Sequence, residues 1–496
     1  MSTTETEYEP VIGLECHVQL DTSSKAFTGA AAAYGGAPNS HIDPYTLGLP
    51  GALPVLNRRA VEFALRMGLA CGSKIAMRSE FSRKHYFYPD LPKGYQISQF
   101  DTPICEGGHI EFVLQGEKRS VRLTRIHMEE DAGKNLHIPG GRSSLIDYNR
   151  AGVALIEIVS EPDIRSAEEA GEYLRAIRQL VRFLGISDGN MDEGSLRCDA
   201  NVSIMPRGSK KFGQRTELKN INSFKYVQKA IEHEIARQTE ILRSGGQVVM
   251  ETRGWDAQKG TSRSQRSKEN AHDYRYFPDP DLPPLVIDPQ WLESIKSALP
   301  ATPMMRRDAY LSRLGLSAYD ASLLTAEREL ADYFDELCRA AGVPTTGDLS
   351  DAQRTLAKLC SNWLASELLG LLNKDNRTLE QSPVTAFALA ALVRLIADGS
   401  ISGKQAKEVF ARMYETSETA ASIVEALGMS QITDAAVIEA ACRKVVTAPE
   451  NQKQVQKYQQ NPKLLGFFVG KVLAETGGKA KPDLVNDILL RLLGSV

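Results

Sequence analysis

A chain of 496 residues with a net charge of −3, 42% hydrophobic and 24% charged residues can form two to four domains with large cores. It has no apolar run approaching a membrane span, and its polar, acidic start MSTTETEYEP does not read as a secretory leader. The small net charge excludes a uniformly basic nucleic-acid binder but leaves room for a local basic patch.

The seven cysteines (16, 71, 105, 198, 338, 360 and 442) are scattered and form no CxxC. Neither a disulfide framework nor a cysteine zinc site is expected, and the cytoplasm is the compartment they suit.

The first predicted strand covers 11–20, VIGLECHVQL. Ile12, Leu14, Cys16, Val18 and Leu20 alternate with Gly13, Glu15, His17 and Gln19. Glu15 and His17 therefore share a side, where they either ligate one cation or stand as ordinary surface groups. A Gly-, Ala- and Pro-rich loop follows, and then an amphipathic helix with Asn57 as N-cap and Gly72 at its stop. Residues 83–99, RKHYFYPDLPKGYQISQ, read as a loop, since Pro89 and Pro92 break any helix. Their mix of lysines and aromatics makes either a site wall or a loop packed on itself.

Residues 121–134 give another mixed strand. Arg125, His127 and Glu129 lie on one side, Ile126, Met128 and Glu130 on the other, and Glu129, Glu130 and Asp131 end it. Three adjacent carboxylates repel one another unless exposed or bound to a cation. The apolar strand VALIEIV is interrupted by Glu157, which marks a sheet edge or a function. Ser166, with Glu169 three residues on, starts a long helix ended by Gly185.

Residues 196–204 and 215–219 alternate with period two about a polar turn and predict a hairpin. Its polar face carries Arg197, Asp199, Asn201, Arg215, Glu217 and Lys219. A solvated face would look the same, so the case for a site rests on matching faces from other strands. Another long helix follows Phe224, then strands and loops to about 290.

Beyond about 303 the pattern is helical, with 318–342 reading as one helix and 385–399 as another. The expected division is 1–295, 296–411 and 412–496. Between 443 and 481, Arg443, Lys444, Lys453, Lys457, Lys463, Lys471, Lys479 and Lys481 face only Glu450 and Glu475. That excess is either an RNA-backbone patch or a solvated surface.

Several strands each offering a polar face of carboxylates, histidine, arginine and lysine suit Mg²⁺-assisted phosphoryl transfer. No GxxxxGK[ST], GxGxxG or GxSxG occurs, so any ATP site is sheet-based. A ligase acting on a free amino acid and a non-catalytic RNA-binding scaffold are the rival readings.

The motifs VIGLECHVQL, RKHYFYPDLPKGYQISQFDTPI, RIHMEEDAGK, YNRAGVALIEIVSEPDIRS, EGSLRCDANVSI, ELKNINSF and DYRYFPDPDLPPL occur in this order. Together they resemble those of the bacterial aspartyl/glutamyl-tRNA amidotransferases, in the component called GatB. The resemblance runs essentially end to end. It implies an α+β fold: a mixed, largely antiparallel cradle related to glutamine synthetase and guanidino kinases, then an all-α domain and a small all-α tail that contacts tRNA. It implies ATP-dependent phosphorylation of the carboxylate of Glu or Asp misacylated onto tRNA, followed by amidation. Ammonia would come through a channel from an amidase (glutaminase) partner, and a small third protein would bridge the two in a heterotrimer.

By position, Glu15, His17 and Glu130 resemble the family's Mg²⁺ ligands. Glu217 is a further ligand, and Glu129 is kept as secondary. Lys84 and Lys93 resemble residues at the channel exit. Arg197, Asp199, Asn201 and Lys219 are candidates for ATP or acyl-end contacts. Where many relatives carry two cysteine pairs, this chain has Thr28, Gly29, Ala30, Asp43 and Thr46. No zinc is expected there, and the loop should be held by packing.

Overall fold

The computed structural model describes residues 6–138, 143–267, 274–429, 434–458, 461–477 and 479–494. Residues 1–5, which begin the segment read as no leader, and Asp273 of the last motif lie outside them. The chain forms two compact units, Met1–Met305 and Arg306–Val496.

The first unit is built on a thirteen-stranded sheet. Its main path uses β1 (Tyr8–Gln19), β2 (Ser82–His85), β3 (Tyr95–Ser98), β4 (Glu117–Glu130), β5 (Ala154–Ser160), β6 (Leu196–Pro206), β7 (Thr216–Lys219), β8 (Glu251–Asp256), β9 (Thr261–Ser267) and β10 (Phe277–Pro278). The spatial order is β9-β8-β7-β6-β1-β5-β4-β3-β2-β10. Neighbours along this path are antiparallel except β7 and β8, which run parallel. The expected mixed, largely antiparallel sheet is therefore present, with the predicted hairpin as β6–β7, Asn201 opposite Glu217.

Period-two alternation explains the layering. Ile12, Leu14, Cys16 and Val18 of β1 are fully buried, as are Ile156 and Ile158 of β5 and Leu196, Ala200 and Val202 of β6. This face is covered by α1 (Arg58–Ala70), α2 (Ala167–Phe183) and α3 (Phe224–Arg243), whose Val61, Leu174, Ile177, Val227 and Ile231 complete the core. Asn57 caps α1 as expected, accepting from the amides of Arg59 and Ala60. Ser166 caps α2, but Glu169 reaches one residue further back than a capping box requires, to the Arg165 amide at 2.7 Å.

The segment 83–99 differs from the expected loop. Its ends form β2 and β3, paired antiparallel, and only the proline-containing middle lies between strands. The prolines lack amide hydrogens and so interrupt pairing where they stand, not in the flanks.

The second unit is helical and contains two apolar cores. Residues 318–342 form two helices, Ala318–Leu324 and Arg328–Ala341. The break follows buried Thr325, whose hydroxyl bonds back to the Ala321 carbonyl at 2.8 Å and competes with the helical ladder. The helix at Ala386–Ala397 matches expectation, and a further helix, Pro482–Gly494, has proline in its first turn. The expected boundary at 411/412 falls inside the helix Gly403–Thr416. Its Ala406, Val409, Phe410 and Met413 belong to the earlier core, so the cores separate between Met429 and Ile438. Composition changes gradually there, and the helical periodicity carries no mark of which core a face joins.

Candidate active site

The face of the sheet turned away from α1, α2 and α3 receives the odd-numbered residues of β1, β4, β5, β6 and β7. Register aligns them in rows: Arg197, His17, Glu157 and His127 are consecutive cross-strand partners. In the next row Asp199 and Glu15 are partners. Glu129 lies opposite Leu155 and, on its other side, Ser98. The sheet thus brings Glu15, Glu129, Glu157, Asp199 and Glu217 to one surface.

Ligand atoms of His17, Glu129 and Glu157 lie within 4.8 Å of one another. His17 Nε2 is 3.5 Å from Glu157 Oε2, and His127 Nε2 is 3.2 Å from Glu129 Oε1 and 3.4 Å from Glu157 Oε2. Glu129 also accepts from Ser98 Oγ at 2.6 Å and Gln96 Nε2 at 3.1 Å. Two carboxylates and an imidazole form a donor set suited to a divalent cation.

The electrostatics are those of crowded acids. Burial, then the Glu157, Glu217 and Asp199 carboxylates, raise the pKa of Glu15. Burial opposes charging of His127, but Glu129 and Glu157 outweigh it and raise its pKa to about 9. Arg125 Nε donates to His127 Nδ1 at 3.3 Å. Burial works against the charge on Glu129, but hydrogen bonding to His127 and the nearby Lys84 hold its pKa well below the usual carboxylate range.

Beside this cluster opens a cavity of about 830 Å³. Its walls include His17, Lys134, Arg150, Arg197, Asp199 and Lys219. Asp131 anchors this wall, accepting from Arg197 Nη2 at 2.7 Å and Gln19 Nε2 at 2.6 Å. Lys219 Nζ reaches Asp199 at 2.7 Å and Glu217 at 3.2 Å. The buried Nε of Arg197 has no hydrogen-bond partner among the described residues.

The GatB/GatE catalytic domain matches residues 10–293, and the GatB domain matches 349–493. The chain belongs to the GatB family. Relatives named as the GatB component of aspartyl/glutamyl-tRNA(Asn/Gln) amidotransferase match it end to end. That of Thermodesulfovibrio yellowstonii is 48% identical, that of Geobacter sulfurreducens 51% and that of Geotalea uraniireducens 53%, each over 98% of this chain and 99% of the relative. As a GatB member the chain is one component of a tRNA-dependent amidotransferase, a carbon–nitrogen ligase of translation.

Within this GatB chain the expected residues separate into distinct places. His17 and Glu129 join the three-ligand group. Glu15 lies on the same face, held by Asn201 Nδ2 at 2.9 Å, and Glu217 is held by Lys219 and by Thr252 Oγ1 at 2.7 Å. Glu130 is not in the group. One residue beyond Glu129, it projects through the other side of β4, where Lys93 Nζ lies 2.5 Å away and the Ile97 amide donates at 3.0 Å. Strand parity thus places Glu129, and not Glu130, beside His17 and Glu157. Lys93 and Glu130 instead line a separate small cavity with Tyr45, Thr46 and Leu91. Lys84 is on the cluster side, over the Tyr274 ring.

Glu157 and His127 were not assigned to the site from sequence. Glu157 was conspicuous as the only acid in an apolar run, and His127 shares the parity of Glu129; both signals needed a partner strand to become specific. The expectation of a loop held by packing is also corrected. Asp43 accepts from the Thr46 amide and hydroxyl at 2.8 and 2.7 Å and from the Thr28 hydroxyl, so hydrogen bonds tie these positions together.

Proposed function

We propose that the face of the sheet turned away from the helices is the kinase–amidation centre of the amidotransferase. The observation that carries this reading is the His17–Glu129–Glu157 group at the edge of a cation-lined, nucleotide-sized cavity. ATP occupies that cavity, its phosphates facing Arg150, Arg197, Lys134 and Lys219. Asp199 and Asn201 hold Lys219 and Glu15 in place. Glu129, Glu157 and His17 would hold a Mg²⁺ ion, with Glu15 and Glu217 on the same face, and such an ion would supply neutralisation of phosphate charge.

The substrate is tRNA carrying the wrong acyl group, Glu on tRNA(Gln) or Asp on tRNA(Asn). An oxygen of the acyl side-chain carboxylate forms a bond to the γ-phosphorus while the bond to ADP breaks. Ammonia then attacks the side-chain carbonyl carbon of that acyl phosphate, leaving the ester to the tRNA untouched. Phosphate leaves with the carbon–oxygen electron pair and the surplus proton, and the amide remains. The sheet supplies position and charge, which this chemistry needs more than it needs a nucleophilic side chain. The cradle's kinship to glutamine synthetase and guanidino kinases is part of the same reading.

An amidase (glutaminase) partner supplies the ammonia, and a small third protein bridges the heterotrimer in the cytoplasm. The Lys93–Glu130 pair lines the path by which ammonia reaches the face. The basic residues between 443 and 481 contact the tRNA backbone, and no zinc is assigned at Thr28 and Asp43. Among the described residues, no helix is long and apolar enough to cross a membrane.

The test is amidation of misacylated tRNA by the assembled complex. Glu129→Gln and Glu157→Gln should abolish formation of the acyl phosphate while glutaminase activity of the partner persists. Acyl-phosphate formation at the wild-type rate in both variants would refute the assignment. Deleting residues 434–496 separates this reading from a ligase for free amino acids, which would keep its activity without the tail.

A further inference from the structure

A group of aromatic rings on the far side of the cluster has no part in that chemistry. Phe100 and Tyr276 stack, with ring centres 4.0 Å apart and planes at 9°. Tyr274 meets both Tyr276 and Tyr86 edge to face, and Tyr86 meets Tyr88 in the same way. Tyr88 and Phe100 remain 59% and 48% exposed. Rings gathered to stabilise a fold are withdrawn from water; these keep an edge in it, the mark of a binding surface.

Lys84 joins the rings to the cluster. Its Nζ stands 5.2 Å from the centre of the Tyr274 ring, within electrostatic reach of Glu129 and Glu157 on one side and of Tyr274 and Tyr276 on the other. On β2 it lies opposite Gln96 of β3, which donates to Glu129. The aromatic surface is thus one side chain away from the carboxylates.

We propose that these rings seat the unpaired 3′-terminal base of the acylated RNA. This rests on the function proposed above. An acyl group esterified to the terminal ribose can reach the cluster only if that nucleoside lies beside it. The cationic cavity on the other side takes the triphosphate, which leaves the aromatic side for the second substrate. Single-stranded RNA ends are held by stacking on aromatic faces beside a cation, and that is the chemistry present here.

The experiment uses the assembled complex and a short acceptor-stem hairpin RNA carrying 2-aminopurine at its 3′ terminus. Fluorescence should be quenched on binding to the wild type, and quenching should be lost in Tyr276→Ala and Phe100→Ala but kept in Tyr276→Phe. In turnover, KM for misacylated tRNA should rise roughly tenfold in the alanine variants, the loss of one base–aromatic stack, with KM for ATP unchanged. Quenching that survives both alanine variants overturns the proposal. So does a rise in KM for ATP instead, which would place the adenine of ATP on the rings. Because quenching is read without turnover, a wild-type complex that binds the RNA but makes no amide would refute the proposed chemistry and leave the aromatic seat standing.

Discussion

His17 and Glu157 face each other across β1 and β5, a registered pair with Nε2 3.5 Å from Oε2. The same carboxylate oxygen lies 3.4 Å from His127 Nε2 on the next strand. Glu157 is therefore clasped between two imidazoles in the middle of the sheet, with Glu129 beside it. An acid in that position can exchange an imidazole contact for a cation without any movement of the backbone.

Glu157→Gln keeps the shape and removes the charge. Affinity for Mn²⁺, measured by calorimetry, should fall by at least roughly tenfold, the lower end of what even an outer-shell partner contributes. An unchanged affinity would show that the cation binds elsewhere.

Lys93 and Glu130 are a buried ion pair, at 8% and 2% side-chain exposure. Lys93→Met leaves the carboxylate without its counter-charge and should cost about 3–5 kcal/mol in urea unfolding. Adding Glu130→Gln should restore most of that loss. A double variant as unstable as the single one would mean that lysine packing, not charge, was lost.

Lys25 is fully buried and donates from Nζ to the Tyr148 carbonyl at 3.2 Å. Burial pulls its pKa down to about 8, against about 10.4 in an unfolded chain. Between those values the unfolded chain binds more protons, so stability rises with pH across that window, by at most about 3 kcal/mol, and the full cost of charging is present below it. Lys25→Met should lose this rise. Denaturation midpoints at about pH 8 and pH 10 compare the two, and equal slopes would discount the lysine.

Gly68→Ala in α1 should destabilise, although alanine ordinarily improves a helix by about 1 kcal/mol. A Cβ there would meet Cys105 Sγ at 2.3 Å and Ile75 Cδ1 at 3.0 Å. Overpacking of this kind costs about 1–3 kcal/mol. Thermal unfolding should show a lower Tm, with partial recovery in the Gly68→Ala/Cys105→Ala double variant.

Elements with one buried face were legible from sequence. β1 and the β6–β7 hairpin alternate because helices cover one side and the site occupies the other. Glu157 was harder to assign because β5 is apolar on both faces, so its run has no period that says which way the acid points. Adjacent Glu129 and Glu130 differ only by parity, which a single residue of slip would invert; Ser98, opposite Glu129, fixes it. The break after Thr325 and the continuation of a helix through residue 411 depend on packing partners distant in sequence, and local periodicity does not record them.

The position of β1 bears on how the protein is made. It precedes both of its neighbours in the sheet, Ala154–Ser160 and Leu196–Pro206, by more than a hundred residues. β1 precedes its first sheet neighbour by about 135 residues and its second by about 177, so its two edges are covered at different stages of the chain. The His17–Glu129–Glu157 group needs only β1, β4 and β5, whereas Asp199 and Glu217 join that face only with the later hairpin strands. Such long-range pairing is slow to form, and until it does the edges of this strand are open to mispairing.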